Sequence, residues 1–395
     1  MLQIAVLRVF ILWAAGLGAA AQFSKITLFL PELDSMYPNA TIVLGFLVSV
    51  VSLIGAIFGL VVGTLAARRD LKRVLLFGLV LGAMVSLVQF TQLPLNIFLL
   101  TRILEGVSHL AIVVSAPTLI AWNSSRQYQP LAMTLWGTFF GVSFALTGWL
   151  GLAFVSKHGV SSLFMVHGLL MGLIALLVLL IVPAAKPTTR DTVTHTNLVS
   201  WTGLLNQHKH VWGSPTMAAP AAGWLFYTLT FLALLGVLPS IMPPELRGLT
   251  ASGLPIASII TSLTLGALLL RVWSAVKVVC LGFVAALVPI FLLPLQDIQF
   301  VVCIALFVAL GLVQGASFAA IPQLNTETTD QVLANGAFAQ AGNIGNLCGT
   351  PLLLLLYNVG GVVALSAMVG MCYLLAIGAH YRFAMRRTDV QTGLR

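Results

Sequence analysis

The sequence predicts an all-α polytopic membrane protein, with twelve transmembrane helices in two pseudo-symmetric six-helix bundles. Three observations predict it. The 395-residue chain is 59% hydrophobic and only 7% charged, where a soluble domain carries about 25% charged residues. Apolar runs long enough to cross a bilayer, about 20 residues each, recur from one end to the other. The two halves of the chain also repeat one another. A transmembrane barrel is excluded, because no region alternates in the ~10-residue segments of a barrel strand.

The apolar runs place helices 1 to 6 at about 4–30, 41–64, 74–92, 97–121, 131–155 and 161–183. Helices 7 to 12 fall at about 216–242, 250–271, 278–294, 298–321, 332–357 and 362–381. The chain divides into a first bundle (1–183), a polar cytoplasmic linker (184–215), a second bundle (216–381) and a cytoplasmic tail (382–395). The linker carries Lys186, Pro187, Arg190, Asp191, His195, His208, Lys209 and His210. At the start, MLQIAVLR, an apolar run and Ala19-Ala20-Ala21 have the layout of a cleavable signal. The run continues through Phe29 and Leu30, so the segment reads as an uncleaved first helix.

A net charge of +9 raises the question of nucleic acid. With the N-terminus inside, fifteen of the nineteen Lys and Arg fall on the cytoplasmic side. That asymmetry follows the positive-inside rule. It predicts two cytoplasmic termini, the lipid bilayer as surroundings and no nucleic-acid partner. The compact loops point to a bacterial inner (plasma) membrane, and Asn39-Ala40-Thr41 reads as a chance glycosylation triplet.

Cys280, Cys303, Cys348 and Cys372 all lie in predicted helices without metal-ligand spacing, so no metal or cofactor is expected. Walker-type, HExxH and GxSxG runs are absent, and no pair of aspartates lies within the spans. An enzyme is not expected, and neither is nucleotide-driven pumping.

The repeat shows in ordered matches. Gly106, Ala111, Pro117, Leu119, Ala132 and Gly137 match Gly311, Ala316, Pro322, Leu324, Ala337 and Gly342 at an offset of 205. Gly63, Leu65 and Arg68 match Gly266, Leu268 and Arg271 at 203. Leu17, Phe23, Leu30 and Pro31 match Leu225, Phe231, Leu238 and Pro239 at 208. Parallel six-helix repeats around a midplane site are a transporter architecture.

Polar groups inside the spans are costly and usually functional. In TRILEGVSHL, Arg102, Glu105 and His109 share one helix face through spacings of three and four. Glu105 is the one acidic residue placed well inside a span. Arg102 and Glu105 can form a structural pair or a protonation switch, and His109 can pack or relay a proton. Lys25 either snorkels to the interface or faces a cavity with Gln22. His167 reads as structural.

Two motifs resemble the major facilitator superfamily. GTLAARRDLKRVL, Gly63 to Leu75, is similar to its cytoplasmic signature G-x-L-A-D-R-x-G-R-R. Gly63, Leu65, Ala66, Arg68, Lys72 and Arg73 fit, whereas Ala67 stands at the signature's Asp and Asp70 at its second Gly. RILEG, Arg102 to Gly106, resembles the helix-4 signature R-x-x-Q/E-G. WGTFFGVSFALTG, in helix 5, lacks the Gly-Pro pair of the superfamily's drug antiporters. The resemblance implies that helices 1, 4, 7 and 10 line a central cavity, flanked by 2, 5, 8 and 11. It makes the Gly63–Arg73 loop, with Arg68, Asp70 and Lys72, a cytoplasmic gate. The polar residues then give the candidate site: Gln22, Lys25, Arg102, Glu105, His109, Tyr227, Gln314, Gln340 and Asn343.

The expected function is secondary active transport of a small solute by alternating access, coupled to protons, by a monomer. Lys25, Arg102 and Glu105 sum to +1, which favours an organic anion. The alternative is export of a metabolite or amphipathic drug, suited by Trp13, Phe23, Trp136 and Tyr227, or a transporter-like sensor without coupled flux. Glu327 and Asp330 facing Arg126 suggest a charge latch across the cytoplasmic gate.

Overall fold

The computed structural model describes residues 2–37, 41–184, 201–295 and 299–391. Among them there is no strand, as hydrocarbon demands: only a helix pairs its backbone groups within one segment. Helix 1 is Leu2–Thr27, helix 2 Thr41–Ala66, helix 3 Leu71–Gln89 and helix 4 Leu95–Asn123. Helix 5 is broken into Gln129–Gly137, Phe139–Leu146, a π-turn at Thr147–Gly151 and Leu152–His158. Helix 6 is Val160–Ile181, helix 7 Ala218–Ile241, helix 8 Pro244–Leu269, helix 9 Ala275–Leu292 and helix 10 Gln299–Leu324.

Helices 11 and 12 run together through Thr328–Gln391, parted where Gly360 and Gly361 leave helical geometry. Gly361 has φ +61°, which side-chain-bearing residues avoid. The chain folds back there. Asn325 Nδ2 lies 3.4 Å from Thr216 O, and Arg387 Nη1 lies 2.8 Å from Pro215 O, so both ends of the long element reach one segment. Lipid-facing sides carry bare apolar residues, such as Leu169, Leu173, Leu176 and Leu180 on helix 6.

Several boundaries differ from the sequence reading. The predicted linker contains a helix at Trp201–Gly213, and helix 12 continues into the predicted tail. Pro117, which as a helix breaker matched by Pro322 reads as the cytoplasmic end of helix 4, lies inside it, because the helix runs on to Asn123. Lys186, Pro187, Arg190, Asp191, His195, Asn39 and Arg395 lie outside the described residues.

The halves meet on the face that carries both termini. Gly55, Gly59 and Gly63 of helix 2 lie against Asn343, Gln340 and Gly336 of helix 11. A Cβ at Gly63 would sit 2.8 Å from Gly336 Cα, and one at Gly59 2.7 Å from the Gln340 backbone nitrogen. Three hydrogen bonds cross the seam: Gln340 Nε2 to Ala56 O (3.0 Å), Asn335 Nδ2 to Thr118 Oγ1 (3.1 Å) and Gln314 Nε2 to Gly137 O (2.6 Å). With the glycine contacts, these bonds join the halves on the terminal side among the described residues.

Glycine contact and amides, not the expected charge latch, join the halves on this side. Among the described residues no ion pair joins Arg126 to Glu327 or Asp330. Asp70 also takes another role. It caps helix 3, its Oδ1 accepting from Lys72 N at 3.0 Å. Lys72 Nζ and Arg8 Nε donate to Leu179 O (2.8 Å) and Ile181 O (3.1 Å), where the helix-6 dipole favours positive charge. Arg68 is exposed at the end of helix 2.

Candidate functional site

Helical spacing builds a cavity between the halves. On helix 7, Trp224, Tyr227 and Phe231 recur at three and four residues and share one face. Trp136, Phe139 and Phe140 of helix 5 face them from the other half, with Phe318 of helix 10 between. Phe23, His109, Gln314, Asn335, Phe338 and Asn343 complete most of the wall, around about 790 Å³ of space including its open mouth.

The rings form two ladders. Trp224 stacks on Tyr227 and on Phe338, each at 4.6 Å, and Tyr227 stacks on Phe231 at 4.8 Å. Trp136 stacks on Phe139 at 4.7 Å. Phe318 meets Trp224 edge-on at 5.0 Å and Trp136 at 6.4 Å, bridging the halves.

Behind the helix 1 and helix 4 wall lies a second feature. Glu105 is fully buried with Lys25 and Arg102. Lys25 Nζ is 2.5 Å from Glu105 Oε1, and Arg102 Nη1 pairs with Oε2. Lys25 also donates to Ser86 Oγ (2.5 Å) and Gln89 Oε1 (2.8 Å). Gln89 Nε2 donates to Glu105 Oε2 at 2.9 Å. Ser86 Oγ lies 2.6 Å from His167 Nδ1, and His167 Nε2 lies 2.9 Å from Gly18 O. Arg102 Nε donates to Leu47 O at 2.8 Å, tying helix 4 to helix 2. An apolar cluster including Ile26, Leu47, Phe98 and Phe164 packs nearby, with Phe164 5.2 Å from Lys25 Nζ. Lys25 finds a partner for each of its three hydrogens, whereas Arg102 Nη2 is buried without one.

The predicted residues therefore divide. His109, Tyr227, Gln314 and Asn343 line the cavity. Gln22, Lys25, Arg102, Glu105 and Gln340 do not. Lys25 neither snorkels nor faces the cavity but points into the first bundle. Gln22 Nε2 donates to Ser108 Oγ at 2.8 Å, and Ser108 Oγ donates to Gly78 O at 2.7 Å. Gln340 ties helix 11 to Ala56 and accepts from Trp212 Nε1 at 3.2 Å.

Ser86 and Gln89 escaped the sequence reading because helix 3 counted as an outer support. Their spacing of three on an otherwise apolar helix was the available signal. Trp224, Phe231, Phe318 and Phe338 escaped because aromatics inside spans look like packing. Trp13, expected on the inner face, does not line the cavity.

The helical fold is similar to that of known transporters. The chain superimposes on the crystal structure of the E. coli fucose:proton symporter with TM-score 0.76 at 14% identity, covering 96% of this chain and 99% of that one. The proton:xylose symporter XylE gives 0.75 at 12% identity, over 96% of each chain. The human organic anion transporter MFSD10 gives 0.73 at 14%, over 94% and 98%. At such identities the likeness is one of fold. No curated protein sequence matches the chain. The family model described as Major Facilitator Superfamily matches residues 12–350, and the chain belongs to that superfamily.

Proposed function

We propose that the protein is a proton-coupled secondary transporter that moves one small organic solute by alternating access between its two bundles. One observation carries the coupling: the Lys25–Glu105–Arg102 cluster is buried directly behind the cavity wall. A helix shift that breaks either ion pair changes the cost of holding each charge and so exchanges a proton. Helices 1 and 4 carry both sets of residues, Phe23 and His109 in the wall and Lys25, Arg102 and Glu105 in the cluster, so a shift of either helix reaches both.

An organic anion would need Lys25 and Arg102, and both already serve Glu105 away from the cavity. The aromatic wall favours the other solute class read from the sequence, an amphipathic metabolite. Cytoplasmic termini, a bacterial inner membrane and a monomeric working unit belong to the same proposal, supported by the basic residues clustered on the terminal side.

Proteoliposomes with an internal pH dye test it. Carboxylates, uncharged and cationic compounds are presented in turn to the wild type, Glu105→Gln and Lys25→Met. A solute that moves protons through the wild type, with coupling lost in both variants and solute exchange retained, is the expected result. Solute flux without proton movement would reduce the protein to a facilitator. Binding without flux would make it a sensor and overturn the proposal.

A further inference from the structure

The cavity offers its occupant aromatic faces and hydrogen-bond acceptors. Nine aromatic rings line it, and among the described residues no Lys, Arg, Asp or Glu does. The polar atoms of the wall are mostly committed. Gln314 spends Nε2 on Gly137 O and Oε1 on Ser258 Oγ. Asn335 Nδ2 donates to Thr118 Oγ1 (3.1 Å) and Gln331 O (2.9 Å), leaving its Oδ1 as an acceptor. Asn343 Nδ2 donates to Ala339 O at 2.8 Å. The Thr228 hydroxyl is turned to Trp224 O at 3.0 Å.

His109 decides the polarity. Its Nδ1 lies 3.1 Å from Ala19 O. A carbonyl only accepts, so Nδ1 carries the proton, and in the neutral ring Nε2 presents a lone pair. Phe23 packs edge-on against this ring at 5.0 Å and holds its orientation. Acceptors remain for a ligand at His109 Nε2, Asn335 Oδ1 and Asn343 Oδ1, and neutral donors at the Asn346 amide and Trp136 Nε1. An anion would meet the negative faces of the rings with no Lys or Arg in the wall to answer it.

We infer that the transported solute is a planar aromatic molecule that carries a hydrogen-bond donor and no negative charge. This rests on the transport reading above and names its substrate class. The ring lies between the Trp224–Tyr227–Phe231 ladder and the Trp136–Phe139–Phe140 face. The donor meets His109 Nε2. Each half contributes one aromatic wall, so the solute joins both halves as it binds.

Calorimetric titration of the detergent-solubilised full chain, against protein-free micelles, tests this with matched probes: 2-naphthol, naphthalene, 2-naphthoate and decahydro-2-naphthol. The expected order puts 2-naphthol about tenfold or more ahead of 2-naphthoate and of the saturated alcohol. In His109→Ala the advantage of 2-naphthol over naphthalene disappears. Phe231→Leu, which leaves the acceptors in place, weakens both aromatics together and keeps their ratio. Equal or tighter binding of 2-naphthoate overturns the inference, as does no binding of either uncharged aromatic probe. If these probes fail while another solute moves protons in the liposome assay, the substrate class falls and transport stands. If 2-naphthol binds but no solute moves, transport falls and the site stands.

Discussion

Glu105→Gln is expected to destabilise the protein by about 3–5 kcal/mol, the usual result of removing one partner from a buried ion pair. The wild-type cluster holds two cations on one carboxylate, and all three side chains are buried. Removing the carboxylate leaves Lys25 and Arg102 facing each other with no counter-charge. Lys25→Met is expected to cost less. It leaves a balanced Arg102–Glu105 pair, at the loss of the Lys25–Glu105 contact and of the hydrogen bonds to Ser86 and Gln89. The double variant leaves one unpaired cation instead of two. It should melt above Glu105→Gln alone, a coupling that independent sites do not show. Thermal denaturation in detergent gives the order directly. A Glu105→Gln protein as stable as wild type would mean that the cluster is not held together by charge.

The second large effect lies at the seam between helices 2 and 11. Gly59→Ala or Gly63→Ala places a methyl group within 2.8 Å of helix-11 backbone, where the atoms met are backbone and the Gln340 Cβ rather than the far end of a flexible side chain. Overpacking of this kind costs about 1–3 kcal/mol, or roughly 5- to 150-fold in a population ratio. The cost applies only while the terminal face is closed, so the equilibrium moves towards opening on that side. Spin labels at Arg69 and Glu327, both exposed and on opposite halves, report it in a background lacking the four native cysteines. The distance distribution should shift to longer values in either variant, and further in the double. Unchanged distributions would show that this glycine contact does not set the gate. Gly172→Ala, where a Cβ meets nothing within 4 Å, is the control that should leave the distances alone.

Much of the architecture was legible without coordinates. Hydropathy located the spans because a bilayer admits only long apolar helices with internally paired backbones. The Gly and Pro matches between the halves exposed the repeat. Arg102 and Glu105 were visible as partners because residues three apart on a helix are neighbours whatever surrounds them. The boundaries were less clear. Pro117 looked like a helix end but sits inside helix 4. The polar segment read as a linker contains an ordered helix whose Trp212 reaches Gln340.

The sequence by itself determined the membrane class, the twelve-helix repeat, the family signatures and the presence of a charged face on helix 4. These follow from local composition and from spacing along a single helix. Only the tertiary structure decided which way Lys25 points, that Ser86, Gln89 and His167 join it, and that aromatic rings rather than charges face the cavity. It also decided that glycines and amides join the halves on the terminal side, where no ion pair joins Arg126 to Glu327 or Asp330 among the described residues. The physical reason is common to all of these. Helix periodicity states which residues share a face, but the rotation of each helix in the bundle states what that face meets. In a protein apolar on nearly every side, that rotation is set by the packing of neighbouring helices.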